Sequence, residues 1–252
     1  MKRHLPNLIT LLNVFCGCIA TVFAVQNRLE LAAVFVFLGI FFDFFDGLAA
    51  RALDVKSELG LQLDSLADVI TSGLVPGIVM YQLLWQASTG GWNAGAEFAS
   101  NAGYGRSVLE NPLPLLGFLI TLASAYRLAN FNIDENQTES FIGLPTPANA
   151  LLILSLPLAL MYQNNEMLNG IILNPWFLVG LTFLSVYLLN ANIALFALKF
   201  KTWAFKDNAL RYIFMVVSLV LLVLLRFWAV PLIIAIYILS SVVVVNLRGK
   251  KA

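Results

Sequence analysis

An all-α, polytopic membrane protein of about eight transmembrane helices is what this sequence predicts, on three observations. Of its 252 residues 60% are hydrophobic and only 12% charged. Apolar runs near the roughly 20 residues that a helix needs to cross a bilayer recur along the whole chain. The positive charges fall almost entirely on one side of those runs. So apolar a chain is no water-soluble globule. Disorder needs low hydrophobicity, a coiled coil dense charge, and nucleic-acid binding a concentrated basic face; a net charge of +1 on this composition supplies none of them.

The spans are expected at about 7–25, 30–50, 64–86, 112–131, 146–163, 174–197, 209–226 and 228–247. The first holds Cys16 and Cys18, which lack the further ligands of a zinc site and read as small packing residues. Phe15-Cys16-Gly17-Cys18 is a poor lipoprotein cleavage site, because Asn13 interrupts the apolar stretch before it, and no cleaved leader is expected. The second span is rich in Phe and ends in acidic and small residues. In the third, Gly73-x-x-x-Gly77 permits close helix packing, inside the molecule or between two copies, and Pro76 loosens the helix without breaking the span. A long Gly-, Ala-, Ser- and Asn-rich connection, about 87–111, leads to the fourth span, near whose end lies Arg127. Gly143, Pro145 and Pro147 introduce the fifth. The last two meet at Arg226-Phe227-Trp228, with Pro231 just inside the eighth, so that corner must be tight.

An even number of spans puts both termini on one side. All of the 15 Lys and Arg residues except Arg28, Arg106 and Arg226 fall on that side, which is therefore the cytoplasmic one. The single histidine, His4, beside Lys2 and Arg3, belongs among lipid headgroups and has no catalytic role. Asn136-Gln137-Thr138 matches a glycosylation acceptor but falls on the cytoplasmic side, where it is a chance match.

The chemistry concentrates between positions 43 and 68. Asp43, Asp46, Asp64 and Asp68 lie at or inside the ends of two membrane helices. An ionised side chain in the bilayer costs roughly 2.5–3.5 kcal/mol, so four cost roughly 10–14 kcal/mol, comparable with the whole net stability of a domain. They cannot face lipid uncompensated. Positions three, four and seven apart share a helix face, which aligns Asp43, Asp46, Gly47 and Ala50 in one stripe and Gly60, Asp64 and Asp68 in another. One hairpin apart, the stripes can face each other, and Asp54 or Ser57 in the turn can cap the returning helix. Converging carboxylates either take up protons or are held together by cations. Oxygen ligands with no His or Cys nearby favour hard divalent ions, Mg²⁺ or Mn²⁺, and four of them suit a two-metal site. Gly47, Ala50 and Gly60 remove bulk so that a diphosphate can approach, and Arg51 can offer it a fixed positive fork. Each aspartate alone is equally well read as an interfacial charge snorkelling to water; the constellation is not.

Asp43-x-x-Asp46-Gly47-x-x-Ala50-Arg51, eight residues, then Gly60-x-x-x-Asp64-x-x-x-Asp68 resembles the complete signature of the CDP-alcohol phosphatidyltransferases. The resemblance implies transfer of a phosphatidyl group from CDP-diacylglycerol to an alcohol with release of CMP. It implies divalent metal held by Asp43, Asp46, Asp64 and Asp68, with Asp68 taking the proton from the acceptor hydroxyl, and CDP bound by Asp43, Gly47, Ala50, Arg51 and Gly60. It also suggests a homodimer.

Two further stretches resemble the bacterial, membrane-integral branch of that family that uses L-serine: Leu5-Pro6-Asn7-Leu8-Ile9-Thr10-Leu11-Leu12-Asn13, and Tyr126-Arg127-Leu128-Ala129-Asn130-Phe131-Asn132 followed by Phe141-Ile142-Gly143-Leu144-Pro145-Thr146-Pro147. Many relatives have a second basic residue where this chain has Asn130. Arg127 and Asn132 are candidates to position the acceptor or a phosphate, and Arg127 is also readable as an interfacial anchor. Asn7 and Thr10 can contact the nucleotide or cap the first helix. The expectation is one domain over 1–252, a six-helix catalytic core (about 1–200) with two additional helices (about 208–247), in a bacterial inner membrane with its site open to the cytoplasm. Rival readings are the same transfer to glycerol 3-phosphate or an inositol phosphate, which would want more basic residues near Arg127, and a cation transporter, against which stands the confinement of the acidic residues to one hairpin.

Overall fold

The computed structural model describes residues 4–55, 57–89, 110–133, 141–163, 165–195 and 205–249. Asn136–Thr138, Lys2, Arg3, Lys56, Arg106, Lys199, Lys201, Lys250 and Lys251 lie outside them, as does most of the 87–111 connection.

Helix α1 (Leu5–Val25) opens with Pro6 in its first turn, where a missing N–H is no loss. A left-handed Asn27 (φ 58°) reverses the chain into α2 (Leu29–Ala52), and these two helices pack together along their lengths. Asp54, also left-handed, turns the chain again. The cap of α3 (Glu58–Asp68) is Ser57, whose Oγ accepts from the Gly60 N–H at 3.1 Å. The span then widens into a π-helical turn, Val69–Leu74, before continuing as α4 (Val75–Thr89). Pro76 is the reason: it has no N–H for the preceding turn. Thr121 of the neighbouring helix donates to the adjacent Gly73 carbonyl at 3.1 Å.

A 3-10 turn (Leu113–Gly117) leads into α5 (Phe118–Ile133), which lies against the π turn and α4. The Gly73/Gly77 pair serves this internal contact: a Cβ on Gly77 would stand 2.2 Å from Thr121 Oγ1 and one on Gly73 3.1 Å from Ser124 Cβ. Helices α6 (Thr146–Tyr162), α7 (Glu166–Ile172) and α8 (Pro175–Asn190) follow. A two-residue antiparallel ladder pairs β1 (Phe141–Ile142) with β2 (Ala194–Leu195). Gly143, at φ 72°, completes it with its backbone pressed on the end of α8, where a Cβ would lie 2.6 Å from the Leu189 carbonyl.

Helices α9 (Phe205–Leu225) and α10 (Ala229–Gly249) meet at a 3-10 corner, Arg226–Trp228, as tight as expected, with Arg226 left-handed (φ 49°). One side chain ties that corner to α6: Gln163 Oε1 accepts from the Phe227 and Trp228 N–H groups at 2.9 and 3.3 Å, while its Nε2 donates to the Leu225 carbonyl at 2.9 Å.

Apart from the two-residue ladder and the connecting turns, the described residues are helical, as expected. By length and composition, five helices among the described residues could cross a membrane: Leu5–Val25, Leu29–Ala52, Glu58–Thr89, Leu113–Ile133 and the run Arg211–Val243. Counting α7 and α8, bent by 61°, as one span makes six. The difference from eight has physical causes. Helix α6, with 17 residues, is short for a span but buried on nearly every side, so protein rather than lipid covers it. The span expected at 174–197 stops at Asn190 because the chain leaves the helix for the β ladder. The last two expected spans form one apolar run interrupted only at the corner. The core gathers α4 (Val79, Met80, Leu83, Leu84) and α6 (Ile153, Leu154) against the small faces of α1 (Ala20, Ala24) and α2 (Ala32, Ala33).

Candidate active site

Asp43 and Asp46 sit at the end of α2, and Asp64 projects from α3 after the hairpin returns. One carboxylate oxygen from each of the three lies within 4.8 Å of the other two. Asp46 is buried, and Thr10 of α1 donates its hydroxyl to Asp46 Oδ2. Asp68, one turn beyond Asp64, stands outside this threefold cluster yet within electrostatic reach of Asp46 and Asp64 and of Arg127 on α5. The stripes deduced from spacing therefore do face each other.

Between them opens a cavity of about 480 Å³, walled by the start of α1, the end of α2 and the start of α3. Asn7, Thr10, Asp46, Gly47, Ala50, Gly60 and Asp64 all line it. The two glycines do different work. A Cβ on Gly60 would come within 3.2 Å of Asn7 Oδ1 and 3.1 Å of Ser57 Oγ, so glycine there lets α1 and α3 close the wall. At Gly47 a Cβ would meet only Arg51 Nη2, at 3.8 Å; its missing side chain enlarges the cavity instead.

Five expected residues, Asp43, Arg51, Asp68, Arg127 and Asn132, stand outside the cavity wall. Arg51 is exposed and folds back along its own helix, its Nε donating to the Gly47 carbonyl at 2.9 Å. Arg127 is half-buried, with Nε enclosed and unpartnered. Asn132 joins α5 to α3: its Oδ1 accepts from Ser65 Oγ at 3.1 Å and its Nδ2 donates to Gln62 Oε1 at 3.2 Å. Sequence reasoning missed Asn13 and Thr71, which lie behind the acidic cluster. The available signal was a polar residue three positions after Thr10 on the same helix face, in an otherwise apolar run, where a buried amide must find a partner.

Chemically, three carboxylate oxygens at this separation and no His or Cys among them form a donor set for a hard divalent cation. The family profile described as CDP-alcohol phosphatidyltransferase matches residues 3–189, which take in every one of these side chains. The chain belongs to the CDP-alcohol phosphatidyltransferase family. Enzymes of this family use divalent metals, and the Asp43–Asp46–Asp64 triad fits that requirement.

Among curated relatives of this phosphatidyltransferase, a CDP-diacylglycerol–serine O-phosphatidyltransferase of Bacillus subtilis (strain 168) is 33% identical over 159 residues, covering 61% of this chain and 76% of the relative. One of the same name from Helicobacter pylori (strain ATCC 700392 / 26695) is 32% identical over 150 residues, 59% of this chain and 54% of its own. An archaetidylserine synthase of Methanothermobacter thermautotrophicus is 30% identical over 162 residues, 63% of this chain and 60% of the relative. The chain thus spans three-quarters of the Bacillus relative and little more than half of the Helicobacter one.

Proposed function

We propose that this phosphatidyltransferase joins L-serine to the phosphatidyl group of CDP-diacylglycerol, giving phosphatidylserine and CMP. The observation that carries the reading is the cluster of Asp43, Asp46 and Asp64, of which Asp46 and Asp64 wall a cavity together with Asn7, Gly47 and Gly60. In this assignment the diphosphate lies over Gly47 and Ala50, the nucleoside reaches Asn7, and Arg51 swings out from its Gly47 carbonyl to a phosphate oxygen. Mg²⁺ or Mn²⁺, held by Asp43, Asp46 and Asp64 with Asp68 completing a two-ion site, would neutralise the diphosphate and the charge that develops on departing CMP.

The serine hydroxyl oxygen forms the new bond to the lipid-side phosphorus as the bond to CMP breaks, and Asp68 receives the hydroxyl proton. Arg127 supplies a charged partner for the serine carboxylate, and Asn132 fixes α5 against α3 so that Arg127 stays aligned. A single cation here favours a zwitterionic alcohol over a phosphorylated one. Residues 1 to about 200 are assigned as the catalytic core, both termini and the cavity mouth face the cytoplasm of a bacterial cell, and the enzyme works as a homodimer.

The test uses the purified protein in phospholipid nanodiscs with labelled CDP-diacylglycerol. Serine-dependent CMP release that greatly exceeds release with glycerol 3-phosphate or inositol phosphate, and that stops in excess EDTA, is expected. Preference for a phosphorylated alcohol overturns the acceptor assignment, and full activity in EDTA overturns the metal.

A further inference from the structure

Helix α1 brings a second polar side chain to the acidic centre. Asn13 is fully buried on the same face as Thr10. Its Oδ1 accepts from the hydroxyl of Thr71, in the π turn, at 2.7 Å. Thr71 is held in a slot cut by two glycines: a Cβ on Gly17 of α1 would stand 2.5 Å from its Oγ1, and one on Gly39 of α2 would stand 2.6 Å from its Cγ2 and 2.8 Å from Asn13 Oδ1. Two helices give up a side chain where this one hydroxyl enters.

With Oδ1 engaged, Nδ2 of Asn13 is left over. It is buried and has no satisfied partner, and the acceptor beside it is the Asp68 carboxylate. The opposite amide orientation would press Oδ1 against that carboxylate and send the Thr71 proton to the more distant Asn13 backbone carbonyl, at 3.3 Å. Only the observed orientation suits both neighbours. An amide used merely for packing here is a poor choice, because a buried donor without an acceptor is destabilising where a leucine is not.

We infer that Asn13 is a positioning residue for Asp68: its Nδ2 donates to one carboxylate oxygen, leaving the other directed at the acceptor hydroxyl, and Thr71 locks the amide that way round. The inference deepens the proposed function and rests on Asp68 being the base.

The experiment compares wild type, Asn13→Asp, Thr71→Val and Thr71→Ser in nanodiscs, recording kcat and KM from CMP release together with thermal unfolding. Asn13→Asp preserves size and the acceptor for Thr71 but turns an oxygen toward Asp68. Its kcat should fall by about 100-fold or more, the scale of a misaligned general base, with KM for CDP-diacylglycerol within about threefold of wild type. Thr71→Val keeps the shape in the glycine slot and should lower kcat about tenfold, one hydrogen bond's worth; Thr71→Ser should recover most of that. Asn13→Asp at wild-type kcat overturns the inference, as do equal losses in Thr71→Val and Thr71→Ser that follow the unfolding temperature. If Asn13→Asp does not fold, the Thr71 pair decides. Wild type that releases no CMP with serine fails the acceptor assignment alone, and the variants are then measured with the alcohol it does use.

Discussion

Helix α1 and helix α9 are each 21 residues long and strongly apolar, yet 33% of the most apolar 18-residue window of α1 is buried while only 6% of the corresponding window in the Arg211–Val243 run is. The buried face of α1 is made of Pro6, Thr10, Asn13, Cys16, Gly17, Ala20 and Ala24. Helix α9 turns Leu219, Val220, Leu222 and Val223 outward. In lipid, a large apolar side chain gains nothing by being covered with protein, so bulk and hydrophobicity say little about which face of a helix is inside. Small residues that allow backbones to approach, and polar residues that need partners, carry that information. α1 has both, aligned on one stripe; the exposed face of α9 has neither.

The sharpest way to break this contrast is at the acidic stripe. Asp46→Asn or Asp64→Asn should reduce CMP release on the order of a thousandfold while leaving the unfolding temperature near wild type, since the loss is of metal-assisted charge stabilisation. Next, Gly39→Val places two methyl groups where Thr71 and Asn13 already stand; destabilisation of about 1–3 kcal/mol is expected from overpacking, read by thermal unfolding, with lowered kcat. Gln163→Ala removes the side chain that ties the Arg226–Trp228 corner to α6 and should cost about 1 kcal/mol, with CMP release unchanged. Least of all, Val223→Ala on the lipid face of α9 should shift stability by no more than about 0.5 kcal/mol and leave turnover untouched. A large effect there, or none at Gly39, would dissolve the distinction between the two helices.

The acidic centre was legible because helical period alone puts Asp43 with Asp46 and Asp64 with Asp68, and the intervening hairpin is too short to do anything but bring the stripes together. Ser57 as the cap of α3 was legible for a similarly local reason. What lay beyond reach were partners distant in sequence. That Thr10 would donate to Asp46, or Asn13 accept from Thr71, depends on how α1 is set lengthwise against α2 and α3; the small and polar stripe of α1 reports which face is inside but not which partner side chains it meets there. Gly73 and Gly77 announced close packing without saying against what; the answer, Thr121 and Ser124 of α5, is a tertiary fact. The end of α8 was misjudged by seven residues because Ala191 to Leu195 are as apolar as the helix before them, and only pairing with β1 pulls them out of it.

The π-helical turn after Asp68 has a consequence for how the third span tolerates change. A loop of backbone carrying one residue beyond a regular coil offsets the parts above and below it by about 100° of rotation. The lower piece is thereby aimed at the acidic partner helix while the upper piece meshes with α5. Deleting any one residue between Val69 and Leu74 would leave length and hydropathy almost as they were and yield a straighter rod. It would also wheel Asp64 and Asp68 away from Asp43 and Asp46, uncoupling anchor from chemistry in a protein that still inserts.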